Sequence, residues 1–180
     1  MDQQVILEAQ KTRQGLAIVE APKLNWICYQ LMVNVYKGEN LPKLADEEEN
    51  VSPFITVRSQ GCTISTRIVK KQVAPNWGQR LYIPVYVPTW NDKIKVVLWH
   101  RGDFLSSTDE FLANIREHPS ASDEMNIATL HSREGKMDPT WFNLYGIRPK
   151  ELTSEVSRMH SSAFMGRILM SLHLQQNERP

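Results

Sequence analysis

Two cysteines, Cys28 and Cys62, are all the thiol chemistry that this 180-residue chain holds. Each stands alone in a strand-like run, so they read as small buried thiols and exclude both a disulfide framework and a zinc pair. Charge of one sign is missing too: 21 basic against 20 acidic residues leave a formal net charge of +1. No global field recruits nucleic acid, no recognised nucleic-acid motif appears, and any basic surface has to be local. Apolar runs stop well short of the roughly 18 residues that span a bilayer. The N-terminus lacks the charged-then-apolar layout of a signal peptide, which makes a soluble chain facing the cytosol the expectation. There is no glycine-rich phosphate loop and no nucleophile elbow, and the five histidines show no metal-ligand spacing. These absences argue against an enzyme.

What is present is ordinary globular material, 41% hydrophobic and 23% charged, in a length that suits one domain. In "NWICYQLMVNVY" Ile27, Tyr29, Leu31, Val33 and Val35 fall on one face, at the period of two that a strand requires. "PFITVRS" and "CTISTRIV" flank the turn "SQGC" and read as a hairpin. "RLYIPVYV", "KIKVVLW", "EFLANI", "TWFNLYG" and "AFMGRILMSLHLQ" add further strands separated by proline, glycine and polar turns. One helical piece is predicted in "DEMNIATLHS", capped by Ser122 with acidic residues in its first turn and ending near Gly135. About eight regularly spaced strands with such turns are the signature of an all-β, antiparallel sandwich. Residues 1–23 are expected to be a linker or accessory edge strand, 24–175 the domain and 176–180 a tail. Among the tryptophans, Trp99 ends one strand and Trp141 begins another, so both read as packing residues. Nothing obliges Trp90, in the proline-flanked turn "PTWND", to be buried.

The segments "NLPKL", "SPFITV", "APNWGQRLYIPV" and "DKIKVVLW", in that order, closely resemble the successive landmarks of a C2 domain. "VYVPTWNDKIKVVLW", "WFNLYG" after a long polar insertion, and "AFMGRILMSLHL" extend the resemblance to the ferlins, large proteins with many C2 domains. The resemblance runs from about Asn25 to Leu174. It implies an eight-stranded Greek-key C2 sandwich, of the type II topology, with helical or polar insertions before the last two strands. It also implies a parent protein that is tail-anchored in a membrane and serves vesicle fusion or exocytosis, with this domain on the cytosolic face.

C2 domains that bind calcium hold it between loops at one end of the sandwich, mostly through aspartates. The chemistry is that of a hard dication seeking roughly 6 to 8 converging oxygens. Laid on that pattern, the first-loop acid survives loosely as Asp46, and an Asp-Pro step has become Ser52-Pro53. The two third-loop aspartates fall on His100 and Gly102, a nitrogen ligand and a residue with no side chain. The last acid is matched by Asp109 or Glu110, and Asp103 lies off the pattern. So degenerate a set holds calcium in about the millimolar range at best. The expectation is a domain with no metal and no other cofactor, independent of calcium.

Two kinds of partner remain. Arg67, Lys70 and Lys71 occupy the strand and loop that in many C2 domains form a basic face for anionic phospholipid membranes, and Phe104 and Leu105 crown the third loop. Three cations at about 1 kcal/mol each give only weak, roughly millimolar binding. The alternative is a protein-interaction scaffold that packs against neighbouring C2 domains or other proteins and binds no lipid. A contiguous apolar patch around Trp90 would mark a protein contact, and a basic face around Lys70 would mark lipid.

Overall fold

The computed structural model describes residues 23–43, 51–102, 110–115, 125–146 and 163–177. Its elements are β1 (Ile27–Glu39), β2 (Pro53–Ser59), β3 (Cys62–Ser65), β4 (Asn76–Val87), β5 (Lys95–His100), β6 (Glu110–Ile115), α1 (Ile127–Ser132), β7 (Lys136–Gly146) and β8 (Ala163–Gln176). Every pairing is antiparallel, in the order β3-β2-β5-β6-β7-β8-β1-β4. Only three residue pairs, from Ala113↔Gly146 to Ile115↔Leu144, join β6 to β7. Around that short seam the two four-stranded halves close as a sandwich. Asn34 and Ser171 hydrogen-bond to each other on an outer face, whereas alternate residues of their strands turn inward.

Alternation produces the core. Leu31, Val33 and Val35 of β1 face Leu81, Ile83 and Val85 of β4's inner row and Ile168, Met170, Leu172 and Leu174 of β8, all buried. Ile55 and Val57 of β2, with Val96 and Leu98 of β5, close it from the other half. Burial of each such side chain contributes on the order of 1.5–3 kcal/mol. Ile27, the first member of the β1 row, is 43% exposed, so β1 projects past the core at its start. Trp77 is buried, with Nε1–H donating to the Pro53 carbonyl at 3.4 Å. Both cysteines are free and half-buried.

The β2–β3 hairpin turns through Gln60 (φ 46) and Gly61 (φ 84), as its sequence predicts. The Gln60 side chain then acts as a surrogate strand residue. Its Nε2 donates to the Tyr86 carbonyl and its Oε1 accepts from the Tyr86 N–H, both at 2.8 Å. At the far end of β4, Gln79 Oε1 accepts from Arg67 N at 2.8 Å and the Arg67 guanidinium donates to the Asn76 carbonyl at 3.2 Å. Gly166 (φ 102) fixes the crossing of β8 under the end of β1, because a Cβ there would stand 2.7 Å from the carbonyl oxygens of both Glu39 and Asn40.

Three local expectations change. The helix begins at Ile127 and not after Ser122: Asn126 is the cap, its Oδ1 accepting from Thr129 N at 2.6 Å, and no acidic residue stands in the first turn. Met125 and Asn126 are held extended, with Ile94 N donating to the Met125 carbonyl and Lys93 bridged to Asn126. β7 starts at Lys136, so Trp141 sits mid-strand; the register shifts between Met137 and Thr140, which lets Pro139 lie in the strand without a ladder donor. β3 ends at Ser65, so Arg67 belongs to the loop and not to the strand. Of the linker or edge strand expected over residues 1–23 only Lys23 is among the described residues, and the insertion expected before β8 lies outside them.

Candidate functional site

The strand directions define two ends of the sandwich. At one end, β1 finishes at Glu39, β2 begins at Pro53 opposite His100, and the loop after β3 is tied in by Gly38 N to the Pro75 carbonyl and Leu41 N to the Val73 carbonyl. This is the loop end, where the described members of the predicted calcium and lipid set lie. Asp46, Asp103, Phe104, Leu105 and Asp109 lie outside the described residues, and Glu110 is placed by its backbone alone, opposite His100. Ser52, His100, Gly102, Arg67, Lys70 and Lys71 are described.

His100 continues the inward parity of Val96 and Leu98 and is 7% exposed at the mouth of the core. Its Nδ1 accepts a hydrogen bond from Ser52 N–H at 3.0 Å, so the ring carries its proton on Nε2. Ser52 is the hub of this end. Its carbonyl accepts from Arg101 N at 3.0 Å, and its hydroxyl accepts from Lys71 N at 3.2 Å. Gln72 N to the Val51 carbonyl and Val69 N to the Pro53 carbonyl seat the basic loop alongside. The structure therefore brings Ser52, His100, Gly102, Lys70 and Lys71 onto one surface. Lys70 and Lys71 are exposed there. Arg67 is exposed as well, but its guanidinium is engaged with the Asn76 carbonyl on the edge of β4.

Three of the positions matched to the calcium pattern, Ser52, His100 and Gly102, carry no carboxylate. Ser52 offers a hydroxyl, His100 has its inward nitrogen occupied by a backbone N–H, and Gly102 offers no side chain. A hard dication is held by several oxygens, carboxylates chief among them, and none of these three side chains supplies a carboxylate. Among the described residues there is no group of three or more His, Cys, Asp or Glu placed to hold a metal.

The loop end also carries a cluster that single-strand reading misses. Glu39 and Arg167 are direct cross-strand partners. Glu39 Oε2 accepts from Arg167 Nη2 at 2.7 Å, and Oε1 accepts from Lys37 Nζ at 3.0 Å. The Arg167 guanidinium, and then the Lys37 ammonium, hold the Glu39 carboxyl below its usual range. Both cations also lie over the Trp141 ring, at 4.4 Å and 5.3 Å from its centroid. Lys37 and Glu39 at i and i+2 show a shared face, but Arg167, 128 residues away in sequence, leaves no local signal.

At the opposite end, where β1 begins and β4 finishes in the pairing Ile27↔Val87, Leu24, Trp26, Tyr86, Pro88, Thr89 and Trp90 line an open cleft of about 550 Å³. Trp90 is 94% exposed and Trp26 61%.

A C2 domain family model matches residues 29–144. The chain belongs to the C2 family. This C2 domain is 39% identical over 160 residues to Ferlin 2 of Tetrahymena thermophila, covering 84% of this chain and 9% of that protein. It is 24% identical over 188 residues to Myoferlin of Mus musculus, covering 87% of this chain and 9% of that protein. The C2 domain thus spans about a tenth of the length of the relatives it matches. Among solved structures it superposes on the paired C2 domains of Extended-Synaptotagmin 2 with a TM-score of 0.57 at 15% identity, over 89% of this chain and 46% of that one. The likeness to that structure establishes the sandwich fold. The ferlin resemblance read from the sequence is the one that the relatives carry, and no described helix is long and apolar enough to cross a membrane.

Proposed function

We propose that this C2 domain is a calcium-independent, non-enzymatic binding module of a ferlin-like membrane-trafficking protein. It rests weakly against anionic phospholipid membrane or packs against neighbouring domains. The observation that carries the reading is the Ser52 N–H to His100 Nδ1 hydrogen bond at 3.0 Å. It satisfies the mouth of the sandwich internally, at positions where a metal-binding relative would present acidic oxygens. Vesicle fusion, exocytosis and a tail-anchored parent on the cytosolic face follow from the likeness to ferlins. Asp46 and Asp109 are the acids the resemblance leaves in the loops, too few for tight binding. Lys70 and Lys71, with Phe104 and Leu105, are the residues that the resemblance to C2 domains offers for lipid.

The second reading is a scaffold that binds protein and no lipid. It is favoured by Arg67, whose guanidinium serves the β4 edge and so weakens the basic face. Calorimetric titration with calcium tests the first reading. No heat is expected at micromolar calcium, and sedimentation with anionic vesicles is expected to be weak and the same in calcium or chelator. Heat at micromolar calcium, or vesicle binding that appears only with calcium, refutes it. Absence of vesicle binding under both conditions leaves the scaffold.

A further inference from the structure

We infer that the aromatic end of the sandwich, opposite the degenerate calcium loops, is a membrane-inserting surface that seats in the headgroup region of an anionic bilayer. The inference rests on the membrane reading above and assigns the contact to the other end of the domain. On sequence grounds an apolar surface at Trp90 marks a protein contact. The structure changes that assignment because of what the patch lacks.

The cleft is lined by Leu24, Trp26, Tyr86, Pro88, Thr89 and Trp90, with no charged side chain among them. The Thr89 hydroxyl and the Tyr86 backbone groups of the lining are engaged within the domain. The Thr89 hydroxyl accepts from Asn91 N at 3.1 Å inside the turn. The Tyr86 backbone N–H and carbonyl are both taken by Gln60, so a peptide cannot add here as a strand. An acidic or phosphorylated motif finds no arginine cluster in the lining. What remains is apolar area with two indole N–H groups and a phenol at its margin. Tryptophan and tyrosine of this kind concentrate where hydrocarbon meets headgroups, with the ring in the apolar layer and the polar edge wet.

The shape and the bordering charges agree. Trp90, at 94% exposure, is the tip of the β4–β5 loop and projects from the domain. Lys23 directly precedes Leu24, and Lys93 follows three residues after Trp90; both are exposed. The acidic residue of this loop, Asp92, is half-buried, and its backbone carbonyl ties the loop to Ile127 N at 2.7 Å. Exposed cations beside an apolar tip complement an anionic leaflet.

The test uses the 180-residue protein and vesicles of mixed phosphatidylcholine and phosphatidylserine in chelator. Trp26→Ala and Trp90→Ala both change exposed side chains, so folding survives, which circular dichroism checks. Each is expected to weaken vesicle partitioning about tenfold, the loss that follows from one large apolar side chain failing to leave water. Brominated lipids are expected to quench the tryptophan emission of the wild-type protein more than that of Trp90→Ala. Lys70→Ala with Lys71→Ala is expected to cost much less. If the aromatic variants partition like wild type while the lysine variant loses binding, the inference falls and the membrane reading stands. If wild type binds no vesicles, both fall. If the patch instead drives a concentration-dependent dimer that Trp90→Ala abolishes, without vesicle binding, it is a contact between copies and the inference is overturned.

Discussion

Truncating His100 to alanine tests whether the loop end is held by the hydrogen bond between Ser52 and His100. The variant removes the acceptor of Ser52 N–H, now 3.0 Å from Nδ1, and empties the space of a ring that is 7% exposed. An orphaned donor costs about 1–3 kcal/mol; Ser52 is only half-buried, which puts it near the lower end. Removing most of a buried side chain adds about 1–2 kcal/mol even where the site partly collapses. The expected loss is about 2–3 kcal/mol, a fall in Tm of about 5–10 °C for a domain of this size. His100→Asn separates the two contributions, because its Oδ1 sits near the Nδ1 position and still accepts from Ser52. It is expected to recover about 1 kcal/mol. Urea unfolding followed by tryptophan fluorescence reads both, with the slope unchanged. Equal destabilisation in the alanine and asparagine variants would show that the hydrogen bond contributes nothing. A loss below about 0.5 kcal/mol in the alanine variant would refute the picture of His100 as a lock.

Gly166→Ala is expected to destabilise by at least about 2 kcal/mol, because φ at 102 is a backbone that L side chains avoid and the new Cβ meets two carbonyl oxygens at 2.7 Å; chemical denaturation checks it, and a near-neutral result would refute the crossing geometry. Glu39 has its carboxyl pKa lowered by Arg167 and Lys37. Its contribution is therefore present above the ordinary glutamate value of about 4.3 and lost as pH falls through the lower folded value. Stability measured from neutral to acid pH is expected to show a shallower acid-side loss in Glu39→Gln than in wild type, and an identical acid limb would contradict the pairing.

Much of the fold is legible because the core rows are written as alternation. Leu31, Val33 and Val35, or Val96 and Leu98, announce their strands with no knowledge of partners. Gln60–Gly61 announces its hairpin, since few residues tolerate two successive positive φ values. The misreadings share one cause, a long-range contact overriding a local signal. Met125 and Asn126 sit in a helix-like stretch, yet Ile94, Lys93 and Asp92 hold them extended. Pro139 reads as a strand breaker, and a register shift accommodates it. Of the candidate site, the sequence shows serine, histidine and glycine at Ser52, His100 and Gly102, where the resemblance expects acids. That His100 would turn its nitrogen onto Ser52 was not legible, because the pairing Pro53↔His100 joins positions far apart in sequence. Trp90 stood out as a tryptophan without a reason to be buried. Leu24, Trp26 and Tyr86 did not, since only the β1–β4 register gathers them beside it.

The Gln60 clasp on β4 has a consequence for crowding. A sandwich with an open edge strand offers unpaired amides to any similar sheet nearby, and sheets strung on one polypeptide meet at effective concentrations of about a millimolar. By supplying both a donor and an acceptor to Tyr86 from its own hairpin, the domain blocks one point of the β4 edge where a neighbour's strand would pair. A neighbouring sheet that approaches this end of β4 must break the clasp before it can add a strand there.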